Sequence, residues 1–148
     1  METPVQIINL IYSAYARREI EAGLDHFHDD VCFVWNIDSP ALPDGSVCHG
    51  KPAFVERLQQ LAADWQFDRY ELVDAFGDGD RAASRVALEV TSRRTGKTGV
   101  TELGHFWTFK DGKVSKLIEF FDTASMLQLS GCVLAAPDST SQTAASST

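Results

Sequence analysis

Ile7, Ile8, Leu10, Ile11, Tyr12 and Tyr15 recur at the three- and four-residue spacing of one helical face. With Pro4 suited to a first turn, they predict an amphipathic helix over Pro4–Ala16. The pattern resumes through Ile20, Leu24 and Phe27, which predicts a short second helix across Glu19–His28 after the polar Arg17-Arg18 step. β-Branched and aromatic residues fill Val31–Ile37 behind the turn signal Asp29-Asp30, so a strand follows. Asp38–Gly50 is rich in proline and glycine and reads as a loop bordering a pocket mouth. Pro52 opens a third helix whose stripe is Phe54, Val55, Leu58, Leu61 and Trp65.

From there the period changes to two. Tyr70–Phe76, Arg81–Arg93, Val100–Lys110 and Val114–Asp122 are separated by Gly77-Asp78-Gly79-Asp80, Thr95-Gly96 and Asp111-Gly112, turns short enough to make consecutive strands antiparallel neighbours. Thr123–Leu129 predicts a closing helix capped by Asp122. The reading is one α+β domain over residues 1–130, its curved antiparallel sheet wrapped around the N-terminal helices. The Ser/Thr/Ala-rich tail over residues 131–148 is predicted to be disordered.

Alternation sorts the last hairpin into two faces. A type I turn with a glycine bulge at Asp111-Gly112 sets Phe109 opposite Ser115, Trp107 opposite Leu117, His105 opposite Glu119 and Leu103 opposite Phe121. The preceding hairpin brings Val86, Leu88 and Val90 onto the face of Thr101, Leu103 and His105. That face is apolar with one polar pair. The opposite face carries Phe106, Ile118 and Phe120 among Arg85, Glu89, Glu102, Thr108 and Lys116, too apolar for plain solvent exposure, and predicts a homodimer interface. Cover by the chain's own C-terminal segment is the alternative.

Composition narrows the partners. A chain of 148 residues with formal net charge −8 repels phosphate backbones and anionic membranes, so neither nucleic acid nor a membrane is an expected partner. No apolar run is long enough for a membrane span and no secretory signal pattern opens the chain, which leads to a cytoplasmic expectation. Cys32, Cys48 and Cys132 are scattered without metal-ligand spacing and are expected as buried, small apolar side chains, with no metal site. His26, His28 and His49 read as surface or capping residues.

Arg18-Glu-Ile-Glu-Ala, Asp29-Asp-Val-Cys-Phe-Val-Trp, His49-Gly-Lys-Pro-Ala, Gly104-His-Phe-Trp-Thr-Phe-Lys-Asp-Gly-Lys-Val and Phe120-Phe-Asp-Thr-Ala stand in an order that resembles the SnoaL-like polyketide cyclases. These belong to the nuclear-transport-factor-2-like superfamily, which also holds ketosteroid isomerase, scytalone dehydratase and limonene epoxide hydrolase. The resemblance covers roughly Pro4 to Leu129. It implies a conical α+β fold, dimeric, with a deep apolar pocket and no organic cofactor or metal. It sets His105 where the isomerase keeps the protonated acid of its oxyanion hole, and where the cyclases have His. Glu119 falls near the cyclases' acid/base residue. Trp35 takes the place of the isomerase's general-base Asp and Ile11 that of its oxyanion Tyr, which argues against steroid isomerisation. The Asp-Arg-Asp set of the epoxide hydrolase has no counterpart, Arg85 falling on the outer face.

A carboxylate against an imidazole in an apolar pocket is a competent acid/base couple. His105 and Glu119 are therefore the candidate catalytic residues, with Asp38 as a spare carboxylate at the pocket mouth. The bland alternative is a cross-strand structural pair contributing at most about 1 kcal/mol. Trp35, Trp107, Phe121, Leu103, Phe54, Leu58 and Tyr15 are the candidate ligand contacts; of Tyr12 and Tyr15, at most one is expected to present its hydroxyl inward. The expected activity is proton transfer on an apolar carbonyl compound by an isomerase, lyase or cyclase, and the alternative is a non-catalytic binding or dimerisation module.

Overall fold

The computed structural model describes residues 1–35 and 47–132. Its elements are α1 (Pro4–Ala16), α2 (Ile20–Leu24), β1 (Phe27–Trp35), β2 (Val47–His49), α3 (Lys51–Asp64), β3 (Trp65–Asp78), β4 (Arg81–Ser92), β5 (Thr98–Lys110), β6 (Lys113–Phe121) and α4 (Thr123–Leu129). One curved sheet takes the strands in the order β2-β1-β6-β5-β4-β3, an α+β architecture. Thr3 and Gln6 form a reciprocal capping box at the start of α1, satisfying two backbone donors that an uncapped helix leaves open. Ile7, Ile8, Ile11 and Tyr12 of α1 are buried against the inner face of the sheet, with Phe54 of α3 wedged between Phe27 and Phe33 at 5.0 Å from each ring.

Several boundaries differ from the sequence reading, and each has a local cause. The second helix stops at Leu24, and Phe27, expected on its stripe, starts β1 instead, fully buried. Tertiary burial of one aromatic outweighed the helical period. Trp65, expected on α3, opens β3 by pairing with Ser92, and β3 runs well past Tyr70–Phe76 at both ends. Val47–His49, read as loop, pairs with β1 as a short edge strand. β1 joins β6 in parallel, the one departure from an antiparallel sheet. Asn36 and Ile37 of the expected strand, most of the loop before Gly50, and all of the tail beyond Cys132 lie outside the described residues. Among the described residues, no helix is long and apolar enough to cross a membrane.

The hairpin between β5 and β6 reaches the expected register by another route. Asp111 and Gly112 both have positive φ, 52° and 74°, the signature of a tight two-residue turn closed by Lys110 and Lys113. The bulge lies further on, where Phe109 pairs with Val114 and Thr108 with Lys116, leaving Ser115 extra. Phe109 therefore does not face Ser115, whose hydroxyl donates instead to the Thr108 carbonyl at 3.2 Å. Beyond the bulge the pairs Trp107–Leu117, His105–Glu119 and Leu103–Phe121 stand as read. Without that one extra residue, Ile118 would take the place of Glu119 opposite His105.

Candidate functional site

One row of side chains across the inner face is polar. Ser84 of β4 pairs with His105 of β5, His105 with Glu119 of β6, and Glu119 with Trp35 of β1. The rows on either side are apolar, Ala82–Trp107–Leu117–Phe33 on one and Val86–Leu103–Phe121 on the other. α1 lays Tyr12 over the polar row.

The contacts form a chain. Trp107 Nε1–H donates to Ser84 Oγ at 2.8 Å; Ser84 Oγ and Tyr12 Oη are 3.0 Å apart; Tyr12 Oη lies 2.5 Å from His105 Nδ1; His105 Nε2 lies 2.7 Å from Glu119 Oε2. An indole N–H can only donate and an ionised carboxylate can only accept. With Glu119 ionised and His105 neutral, the chain then has a single order: Trp107 to Ser84, Ser84 to Tyr12, Tyr12 to Nδ1, and Nε2–H to Glu119. His105 is 2% exposed and has both nitrogens engaged, whereas the Glu119 side chain keeps 16% of its surface. The carboxylate is the more exposed end of the chain.

Burial pushes the Tyr12 hydroxyl well above the ordinary tyrosine range, opposed by its bond to Ser84 and reinforced by the charge of Glu119. Burial does the same to Tyr15, and to Tyr70 with help from Tyr12 and Glu119. All three phenols are therefore held protonated. Tyr12 and Tyr15 both turn inward, correcting the expectation of one at most: Tyr12 is 5% exposed, and the Tyr15 hydroxyl is buried without a hydrogen-bond partner among the described residues. The Trp35 indole nitrogen is unpaired in the same way. The Arg57 guanidinium lies over the Trp35 ring, 4.8 Å from its centroid, and Phe121 packs T-shaped against Trp35 with ring centroids 6.2 Å apart.

Of the other candidates, Phe54, Trp107 and Leu103 are buried in the core, while Leu58 and Phe121 are half-buried around it. Asp38 lies outside the described residues. Asp122 caps α4, accepting from Ser125 N at 3.0 Å and Ser125 Oγ at 2.8 Å, and these bonds hold its carboxyl below the usual range. Cys48 is buried as expected; Cys32 is only half-buried, because it falls on the outer face beside Lys116, and Cys132 is exposed beyond α4. Among the described residues, no group of three or more His, Cys, Asp or Glu is placed to hold a metal ion.

Sequence reasoning missed Tyr12 and Ser84 as members of the site. Ser84 was within reach, because the hairpin register that sets Val86 beside Leu103 also sets Ser84 beside His105, a polar residue between Ala82 and Val86 on the inner face. Tyr12 was not, because helical spacing shows which face is buried and leaves open which strand it meets.

The model of the SnoaL-like domain matches residues 8–117. The chain belongs to this family. Solved structures agree on the fold. A nuclear-transport-factor-2-like protein of unknown function from Burkholderia pseudomallei K96243 superposes with TM-score 0.76 at 21% identity, covering 87% of this chain and 98% of its own. TerC, co-crystallised with polyporic acid, gives TM-score 0.74 at 27% identity over 86% of this SnoaL-like chain and 97% of its own. A protein provisionally assigned as a polyketide cyclase from Pseudomonas putida KT2440 gives 0.71 at 20% identity, covering 87% and 98%. No curated protein sequence matches the chain closely enough to count as a relative.

Proposed function

We propose that this SnoaL-like chain is a small-molecule enzyme of isomerase, lyase or cyclase type that moves a proton on an apolar carbonyl compound. Glu119 exchanges the proton and His105 positions it. The observation that carries this reading is the 2.7 Å bond from a buried His105 to a partly exposed Glu119. His105 Nε2 engages one carboxylate oxygen and leaves the other for a substrate C–H next to a carbonyl. When Glu119 takes that proton, the imidazole retains its place because Tyr12 holds Nδ1. The half-buried Leu58 and Phe121 are the apolar walls of the ligand site, backed by Phe54, Trp107 and Leu103. TerC, crystallised with polyporic acid, supports a small organic occupant for the fold.

The test is deuterium exchange from solvent into a panel of cyclic ketones, β-tetralone among them, followed by proton NMR. Wild-type protein is expected to accelerate exchange at the carbon next to the carbonyl, and Glu119→Gln to slow it by about 100-fold or more. Exchange no faster than in buffer for every ketone would sink the catalytic reading and leave a non-catalytic binding module.

Assembly belongs to the same proposal: the outer sheet face is a homodimer interface. Val47, Val34, Ile118, Phe106, Ala83 and Phe76 are successive cross-strand partners through all six strands, an unbroken apolar row. Phe76 is 68% and Phe106 53% exposed, and Phe120 packs on Phe106 at 5.5 Å. A contiguous apolar band of that extent on a chain this small supports an interface.

A further inference from the structure

In the proposed reaction Glu119 takes a proton and becomes neutral, and a neutral carboxyl no longer dictates which nitrogen of His105 carries the imidazole proton. It can donate to a bare Nε2 as well as accept from Nε2–H. The bond at the other nitrogen then decides. Among the described residues, Ser84 Oγ has two partners, the Trp107 indole at 2.8 Å and Tyr12 Oη at 3.0 Å. The indole can only donate, so the Ser84 proton goes to Tyr12 Oη and the Tyr12 proton goes to Nδ1. The reverse order, Nδ1–H to Tyr12 and Tyr12 to Ser84, would leave the buried Ser84 hydroxyl without an acceptor. Burial keeps the Tyr12 hydroxyl protonated, and its ring is packed against Tyr70 at 5.7 Å and Trp107 at 6.0 Å, so the donor is present and held in one place.

We infer that Tyr12 is a positioning residue: it holds the His105 proton on Nε2 whether Glu119 is charged or neutral, so that a proton taken by Glu119 stays free of the imidazole. Without the Tyr12 bond, the imidazole can carry its proton on Nδ1 and accept at Nε2, which turns the carboxyl O–H toward the histidine and away from a substrate. With the bond in place, Nε2–H donates to Oε2 and the proton that Glu119 has taken resides on Oε1. Tyr12 touches no reacting atom in this role and acts through His105, while Ser84 sets the direction of its hydroxyl. The catalytic consequence rests on the reading of Glu119 as the proton-exchanging group, whereas the fixed tautomer does not.

Glu119→Gln provides the test, because its neutral amide has nearly the shape of the protonated carboxyl and can likewise donate or accept. The measurement is a two-bond proton–nitrogen NMR spectrum of the histidine rings under mildly alkaline conditions. The chain has four histidines, and His26→Gln, His28→Gln and His49→Gln together leave only the signals of His105. Wild-type protein and Glu119→Gln are both expected to show a protonated Nε2 and a bare Nδ1. In Glu119→Gln the Tyr12 hydroxyl proton is also expected as a downfield signal coupled to Nδ1, which identifies the donor without altering it. Tyr12→Phe combined with Glu119→Gln is expected to move the two nitrogen shifts toward each other, as a mixture of tautomers does. The inference falls if Glu119→Gln by itself gives a mixture, protonated Nδ1 or both nitrogens protonated, if the Tyr12 proton shows no coupling to Nδ1, or if Nε2–H stays unmixed after Tyr12→Phe. A fixed tautomer without deuterium exchange on any ketone would leave the Tyr12 lock standing and remove the proton-transfer reading; exchange with a mixed tautomer would do the reverse.

Discussion

Tyr12 is bonded on one side to Ser84 and on the other to His105, inside a core where no water competes for either partner. Its hydroxyl therefore contributes more by satisfying two neighbours than by its own bonds. Tyr12→Phe keeps the ring and strands Nδ1 and the Ser84 hydroxyl, which should cost about 1–3 kcal/mol in urea unfolding. Ser84→Ala should cost a similar amount by orphaning Trp107 Nε1. Because the two residues share one chain of bonds, the double variant is expected to lose less than the two single losses added together. Full additivity would mean that the chain is a set of unrelated contacts.

At the scale of elements, the aim of Glu119 depends on one bulge and the aim of Tyr15 on one glycine. The extra Ser115 turns β6 over, so that residues beyond it present the face they do. A Cβ built on Gly23 of α2 would lie 2.7 Å from Tyr15 Cε1. Helix propensity alone makes Gly→Ala worth up to about 1 kcal/mol of stabilisation. Overpacking against a buried ring costs about 1–3 kcal/mol, so the clash is the larger effect. Gly23→Ala is expected to lower the melting temperature; a more stable variant would show that the Tyr15 ring moves aside freely.

The whole molecule holds all three of its tyrosines inside or against the core, each with its pKa raised by burial. A phenol whose folded pKa lies above its unfolded value, about 10, costs no stability below that pH. Above it, the unfolded chain releases protons that the folded chain retains, so stability falls as pH rises. Near-ultraviolet tyrosinate absorbance should therefore stay flat past about pH 10 and then rise for all three residues in one step with unfolding. Gradual ionisation of the intact fold would contradict their burial. The outer apolar row makes a separate prediction: Phe106→Glu, at the centre of the row, should convert a sedimenting dimer to a monomer without loss of helical or sheet signal. A wild-type monomer at all concentrations would remove the interface.

Alternation and turn chemistry were enough to place His105 opposite Glu119 and Phe106 opposite Ile118, because a strand's period is local and a misregister would bury charge. Element order and the family resemblance both pointed to the curved α+β plan, which the structure and the solved neighbours share. The sequence could not show that the bulge falls at Ser115, since turn and bulge exchange places without changing the later pairs. Nor could it show that β1 lies parallel to β6, that Tyr12 meets Ser84 and His105, or that the polar atoms of Tyr15 and Trp35 are buried without a partner among the described residues. Those contacts join residues far apart in the chain. They are decided by how α1 and β1 dock on the sheet, a result of packing that no local pattern encodes.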